Sequence, residues 1–493
     1  MGNVVKRRVD PVELLDISRE LLSNGCRFQM AYHRYDGESL EIVYLVDQGS
    51  NLDFLEIVVR PERQMPSLSE LVPLLSWYER EIMDLSDISF LGNPEPFPLV
   101  VLEGMTLTGS PFDPSCETES RLYGSPTAPN LPEVAAKQVQ DLFWGPIRAD
   151  VVETGEFHFA YIGEEILHFT PRLFYKHRGI EMGLQNHDPA SGLVLAERVS
   201  GVGTICHGLA YCQAVENACR IEVPLRAQLL RIVMAELERI YNNLHYFAML
   251  AKTTTLKVGE AFGLLLEEEA KQINAKLTGH RFLRNTLAIG GLRRDLEVDV
   301  IGSDIESLKA RVQDYVDSLT ETQSYIDRLM GTGILPSDVA FDFGATGPVA
   351  NASGLQRDLR VHHPYSAYDA LSMQIPVKTK GDALARAEVR AESLIVAFEL
   401  IEQVLQVLKP GEVNLDTPKI LDGIVDGLGW TEGPRGSCFY AVRINDGSFE
   451  RVKIKSASFS NWKVFPLTVH SSNMMDYAIN EASFGLTIAG ADR

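Results

Sequence analysis

Beginning at Pro224, the run LRAQLLRIVMAELERIYNNLHYFAML contains neither Gly nor Pro and repeats apolar residues at helical spacing. Proline suits a first helical position, because its missing N–H has no intrahelical partner there. At 1.5 Å per residue this helix is roughly 40 Å long, so only a large bundle can cover its apolar face. Two further runs agree. Ser303 with Glu306 forms a capping box ahead of Ile305, Leu308, Val312, Tyr315 and Leu319. A third helix extends from Asp382 to Leu408, where Pro410-Gly411 stops it.

Strand patterns flank this helical centre. Residues 27–60 alternate as RFQMAYHRYD, EIVYLVDQG and LDFLEIVVR between Gly, Asp, Ser and Asn turns. Pro66 then precedes Ser67, with Glu70 three residues on, which predicts a helix through SELVPLLSWYEREIMDL. Residues 1–109 therefore read as a small α+β domain, and 110–140, rich in Pro, Ser and Thr, as a linker. A larger domain over 141–493 opens with FHFAYIGEEILHF and returns to strand after residue 437. There CFYAVRI, the turn Asn445-Asp446-Gly447 and SFERVKIK form a hairpin, with Val452 and Ile454 alternating against Arg451, Lys453 and Lys455. The fold class is α+β, a long-helix bundle with β flanks, without internal repeats.

Charge narrows the function. The net charge is −21, and residues 1–150 hold 12 basic against 24 acidic side chains. Such a surface repels phosphate backbones and anionic lipid, which argues against nucleic acid as a partner. No apolar run reaches the 18 or so residues of a membrane helix, so direct membrane insertion is not expected. The basic start MGNVVKRR is followed by acids rather than an apolar signal stretch, and Lys6 stands where myristoylation needs Ser or Thr. Cys26, Cys116, Cys206, Cys212, Cys219 and Cys438 include no C-x-x-C and read as reduced cytosolic thiols. No Walker A, H-E-x-x-H or G-x-S-x-G occurs, and Gly201-Val202-Gly203 lacks the third glycine of a dinucleotide fingerprint. Cys212 and Cys219 share a helix face but stand about 10 Å apart along it. Two thiolates on one zinc lie within about 4.6 Å. Structural thiols are the expectation. His362-His363 are expected in a turn or core rather than on a metal.

Four segments together resemble one family: GPIRADVVETGEFHFAYIGEEILHFTPRLFYKHRGIEMGL, ERVSGVGTICHGLAYCQAVENACRIEVPLRAQ, LTGHRFLRNTLAIGGLRRDL and SGLQRDLRVHHPY. They are similar to the large subunit of energy-converting, membrane-bound nickel–iron hydrogenases of the formate hydrogenlyase type. The same domain resembles the quinone-site large subunit of respiratory complex I, and PSLSELVPLLSWYEREIMDL with FLGNPEPFP resembles complex I's accessory subunit, fused in front. The resemblance implies an oxidoreductase subunit. In active members four cysteines, in R-x-C-G-x-C and D-P-C-x-x-C stretches, hold nickel and iron, a task for soft thiolates. Here Arg198-Val199-Ser200-Gly201-Val202-Gly203 and SFGLTIAGADR stand at those stretches, placing Ser200, Gly203, Thr487 and Gly490 on the four ligand positions. The resemblance thus points to a cysteine-less, hydrogenase-related branch. This chain is expected to bind no metal or cofactor of its own. The quinone-site contacts of complex I would fall on Gly201, near Arg148 and near Thr253, residue types unsuited to them.

Arg178 and Glu181, in KHRGIE, match the family's R-G-x-E motif. They are candidates for a proton relay, with a structural Arg–Glu pair as the alternative. His207 is a candidate proton donor, or a core histidine. Arg357, Arg360 and Tyr365 either line a chamber or join segments by hydrogen bonds. Three functions stay open: a peripheral-arm subunit of a membrane-bound, complex-I-like oxidoreductase, a redox-silent structural subunit of such a complex, and an active hydrogenase. Under the first, an iron–sulfur small subunit would supply electrons, antiporter-like membrane subunits would move ions, and a quinone or other acceptor is possible. The chain would then lie on the cytoplasmic face, held through partners by an exposed apolar patch. Ser483, Phe484, Leu486 and Ile488 should line the inner surface of the C-terminal tail, and Arg493 should find polar partners near Ser200 and Gly203.

Overall fold

A computed structural model describes residues 4–49, 53–101, 105–113, 119–122, 134, 138–148, 153–415 and 420–493. Cys116 and most of the expected linker lie outside the described residues.

The first domain is built on a four-stranded sheet. Its strands run Val4–Val9, Phe54–Val59, Ser39–Asp47 and Arg27–Asp36 in spatial order; the first pair is parallel and the rest antiparallel. The helix Leu75–Leu85 packs on the Arg27–Asp36 strand. This helix starts later than Ser67 and Glu70 predict. Pro73 interrupts the run: residues 68–72 form a turn in which Val72 N–H donates to Leu68 O, and the helix restarts beyond the proline. Ser67 instead donates to Glu79 Oε2 at 2.5 Å, from within the turn.

In the second domain the helices Leu225–Thr253 and Lys257–Thr278 pack together, with Gly302–Thr320 and Ala383–Val407 alongside. Asp382 caps the last of these, accepting from Ala385 N at 2.8 Å. Beside the bundle, the helix Thr204–Cys219 lies on an antiparallel sheet of strands Ile424–Gly433, Gly436–Asn445 and Ser448–Lys455. A second three-stranded sheet, Gln140–Trp144, Glu156–Ile162 and Glu165–Arg172, packs its Phe157 ring on Trp462.

Glycine sets the closeness of helix to sheet. A Cβ on Gly429 would stand 2.0 Å from Ala210 O and 2.5 Å from Ala214 N, both backbone atoms of the helix. Gly429→Ala should therefore push helix and strand apart. The expected loss is about 3 kcal/mol, since overpacking against backbone has no flexible neighbour to yield. Denaturant unfolding of the two proteins checks it.

One continuous apolar core spans both domains. Phe54 of the first domain packs against Trp430, Phe439 and His363 of the second, with ring centroids 5.0, 5.5 and 4.3 Å away. The strands Arg27–Asp36 and Ser448–Lys455 are thereby covered on both faces. Their charged residues are buried with the apolar ones: Arg451, Lys453 and Lys455 are each no more than 3 % exposed.

Candidate functional site

Ser200, Gly203, Thr487 and Gly490 come together. All four line one cavity of about 30 Å³, which has room for roughly one or two waters. Three elements meet there. The Thr204–Cys219 helix begins at its wall with Cys206 and His207. The hairpin turn Gly433-Pro434-Arg435-Gly436 leads into Cys438. The segment Ser456-Ala457-Ser458 faces the C-terminal tail. Two serines tie that tail down: Thr487 N–H donates to Ser458 Oγ at 3.2 Å, the Thr487 and Ser458 hydroxyls are 3.1 Å apart, and Ser456 donates to Gly490 O.

Arg178 holds the two halves of the cavity together. Its guanidinium donates to Val199 O at 2.6 Å, Arg198 O at 3.2 Å and Ala489 O at 3.3 Å, carbonyls next to Ser200 and Gly490. It does not pair with Glu181. Glu181 accepts from Arg451 at 3.0 Å, Arg493 at 3.1 Å and Ile454 N–H at 3.0 Å, with Lys453 Nζ 3.2 Å away. Burial alone would raise its pKa, but Lys453, Arg451 and Arg493 hold the carboxyl well below the usual range. A carboxylate so fixed stays ionised, which suits a tie better than a proton carrier. The expected Arg–Glu pair is replaced by separate partners that cross-link different segments.

His207 is 4 % exposed, with Nδ1 3.0 Å from Tyr440 Oη and 3.6 Å from Cys438 Sγ. Burial, reinforced by Arg178, pushes its pKa down to about 4, so the imidazole is neutral at pH 7. Burial, and then the nearby Cys206, raise the Cys438 pKa well above the ordinary thiol value. Cys206 also contacts Thr431 Oγ1 at 3.4 Å. The cavity wall thus carries thiols, hydroxyls, an imidazole and the Arg435 guanidinium. The four positions expected of metal ligands carry two hydroxyls and no thiol. Among the described residues no group of three or more His, Cys, Asp and Glu is arranged to hold a metal.

Three groups at this site escape a reading of the sequence. Arg435, in the hairpin turn, lines the cavity and donates to Gly485 O at 2.7 Å and Asn242 Oδ1 at 2.8 Å. Its one signal is a lone cation inside a Gly-Pro-x-Gly turn. Glu238 accepts from Ile205 and Cys206 N–H at 2.7 and 2.8 Å, capping the helix that carries His207, and burial pushes its pKa up to about 7. Cys438 has no local signal, because its partner Cys206 is far away in sequence.

The remaining candidates lie elsewhere. Arg357 lines a second cavity of about 30 Å³ between the domains and bonds Asp47 at 3.2 Å. Arg360 is buried between Asp358 and Glu236, and Tyr365 Oη accepts from Glu432 N–H at 3.0 Å. His363 bonds Asp47 at 2.9 Å and His362 Nδ1 meets Asp358 O, both structural contacts. Arg148 pairs with Glu481 and lies over Phe157, and Thr253 donates to Leu250 O. In the tail, Ser483, Phe484 and Ile488 are buried as expected, whereas Leu486 is only half-buried.

Comparison with known proteins gives three successive family matches. Residues 7–121 match the respiratory-chain NADH dehydrogenase 30 Kd subunit, 178–262 the nickel-dependent hydrogenases and 262–422 the respiratory-chain NADH dehydrogenase 49 Kd subunit. Formate hydrogenlyase subunit 5 of Escherichia coli is 28 % identical over 431 residues, covering 84 % of this chain and 74 % of that protein. The C/D subunit of NADH-quinone oxidoreductase from Cereibacter sphaeroides is 26 % identical over 496 residues, covering 91 % and 85 %. Subunit 4 of the Thermus thermophilus enzyme is 27 % identical over 365 residues, covering 67 % and 88 %. Along most of its length the chain is thus similar, in this order, to the 30 Kd subunit of respiratory-chain NADH dehydrogenase, to the nickel-dependent hydrogenases and to the 49 Kd subunit.

Proposed function

We propose that the chain is the fused large subunit of a membrane-bound, complex-I-like oxidoreductase, receiving electrons from an iron–sulfur partner and holding no nickel–iron centre. The observation that carries this reading is the fused order of accessory and large domains, shared with a C/D subunit of NADH-quinone oxidoreductase and with a formate hydrogenlyase subunit. The convergence of Ser200, Gly203, Thr487 and Gly490 on one cavity supports the absence of nickel, since hydroxyls do not replace soft thiolates. Among the described residues no helix is long and apolar enough to cross a membrane, so attachment would come through antiporter-like membrane subunits on the cytoplasmic face. Val258, Phe262 and Leu265 form an exposed apolar stripe at helical spacing on Lys257–Thr278, consistent with a chain that works inside an assembly.

One observation favours the structural alternative. A cavity of about 30 Å³ is far smaller than the roughly 300–1,000 Å³ of small-molecule pockets, so this cavity by itself does not hold a quinone head group. On the proposed reading, the acceptor is met at the interface with the partner.

The test is purification of the intact complex through this chain. The expected result is an iron–sulfur partner, reduction of an added quinone by the complex, and nickel at background even when nickel and maturation proteins are supplied. An iron–sulfur partner without acceptor reduction would favour the redox-silent subunit. Stoichiometric nickel would restore the hydrogenase reading.

A further inference from the structure

The second cavity brings together buried charges, some of which form no ion pair among the described residues. Its lining includes Arg27, Gln29, Asp358, Glu432 and Ser437. Lys455 sits behind this lining, 1 % exposed, with Nζ donating to Gln29 Oε1 at 2.8 Å and Ser437 Oγ at 3.1 Å. The Phe439 ring lies 4.9 Å from the same Nζ. Among the described residues no carboxylate forms an ion pair with it. The Glu432 side chain, on a residue 5 % exposed, accepts from Leu359 N–H at 3.2 Å and likewise has no ion pair among the described residues. Arg27, 7 % exposed, donates to Ala345 O, and its Nε has no partner. The other charges around the cavity are matched: Asp47 with His363 and Arg357, Asp358 with Arg360.

A buried lysine with neutral partners and a buried carboxyl without a cation are each costly when charged. Both costs fall if the proton moves from one to the other. The states Glu–COOH with Lys–NH₂ and Glu–COO⁻ with Lys–NH₃⁺ carry the same net charge, and uptake of one solvent proton gives Glu–COOH with Lys–NH₃⁺. We propose that Glu432, in the wall of the second cavity, and Lys455, behind that wall, form a buried acid–base pair that exchanges one proton with solvent through water held there.

The surrounding groups agree in direction. Burial, and then Asp358, push Glu432 up to about 8, while Leu359 N–H, Arg239 and Arg360 pull the other way. Burial, and then Arg27, push Lys455 down to about 7 against Glu432, Cys438 and Asp47. The pair's position indicates a use. Ser437 lines this cavity, and its chain neighbours Gly436 and Cys438 line the first, so one strand separates the proton site from the thiol cavity. That use, supplying protons to chemistry near the first cavity, rests on the proposed oxidoreductase role; the existence of the pair does not.

Infrared spectroscopy of the full chain tests it without any electron donor or acceptor. At pH 6 the wild type should show a protonated-carboxyl C=O band that Glu432→Gln removes, and this band should bleach as pH rises through about 8. Lys455→Met should move the midpoint upward by at least about half a pH unit, a threefold change in proton affinity. Lys455→Arg, which keeps a fixed cation, should move it downward, so either folded variant suffices. Absence of a Glu432-dependent band at pH 6, or a midpoint unmoved in the folded Lys455 variants, overturns the proposal. Failure to reduce an acceptor would count against the oxidoreductase role and leave this titration standing.

Discussion

Glu181→Ala is expected to destabilise the native chain by about 3–5 kcal/mol, the range for breaking a buried charge network from one side. Two carboxylates, Glu81 and Glu181, are surrounded by Arg451, Lys453 and Arg493, and each of the five is no more than 5 % exposed. Lys453 Nζ bonds both Glu81 oxygens at 2.7 Å, and Arg493 reaches Glu81 and Glu181 at 3.1 Å each. Removing Glu181 leaves three buried cations facing one carboxylate and frees the Ile454 N–H. Repulsion among the cations cannot be relieved by water, because the site is enclosed on both sides by sheet and helix. The pH dependence follows from the depressed carboxyl. A group whose folded pKa lies below its unfolded value of about 4.3 contributes fully above that value and is lost as pH falls towards the folded one. The gap between wild type and variant should therefore be constant from about pH 9 to 6 and narrow only in acid. Denaturant unfolding at pH 7 and pH 4 measures both. A loss under about 1 kcal/mol at pH 7 contradicts the network.

That same cluster shows where the sequence is legible and where it is not. Helix Ala383–Val407 can be read because everything that defines it is local: Asp382 caps its first turn, and Pro410-Gly411 follow its end. The start of Leu75–Leu85 departs from the expected one because a local cap signal at Ser67 competes with Pro73, and the ring constraint wins. Arg451, Lys453 and Lys455 alternate with apolar residues in a way that fits a solvent face. Their face is instead covered by the first domain, with Glu81 supplied 372 positions away from Lys453. No window of local sequence contains that carboxylate. The closeness of Arg178 and Glu181 in KHRGIE suggests a pair, yet the left-handed Gly179 separates Arg178 from the helix Ile180–Gly183 that carries Glu181, and each serves other segments. The cavity positions are legible through family resemblance alone, since Ser200 and Gly490 have no property that links them before the chain is folded. Arg435, Glu238 and the Cys206–Cys438 contact become visible only when the hairpin is laid on the Thr204–Cys219 helix.

Replacing Ser200, Gly203, Thr487 and Gly490 together with cysteine should create a site that binds about one zinc ion. The positions already converge. A Cβ on Gly203 would stand 3.7 Å from Ser200 Cβ, and one on Gly490 lies 2.5 Å from Thr487 Oγ1, so each pair is close and both line the same small cavity. Four thiolates each about 2.3 Å from a tetrahedral zinc span a few ångström, which matches this scale. There are identifiable costs. Thr487 Oγ1 caps the Ile488–Asp492 helix by accepting from Gly490 N–H at 3.2 Å, and losing such a cap costs about 1 kcal/mol. The Gly203 Cβ would stand 3.2 Å from His207 Cδ2, so the ring must shift by a few tenths of an ångström. A structural zinc site supplies apparent binding energy of roughly 10–16 kcal/mol, far more than these terms remove. Zinc should consequently raise the unfolding midpoint of the quadruple variant and leave the wild type unmoved, with tighter binding at higher pH as the thiols deprotonate. A double variant at Ser200 and Gly203 alone should bind much more weakly, because two thiolates leave half of the tetrahedron to water. Elemental analysis after dialysis distinguishes the cases. A folded quadruple variant that retains no zinc would mean that the four side-chain directions do not meet.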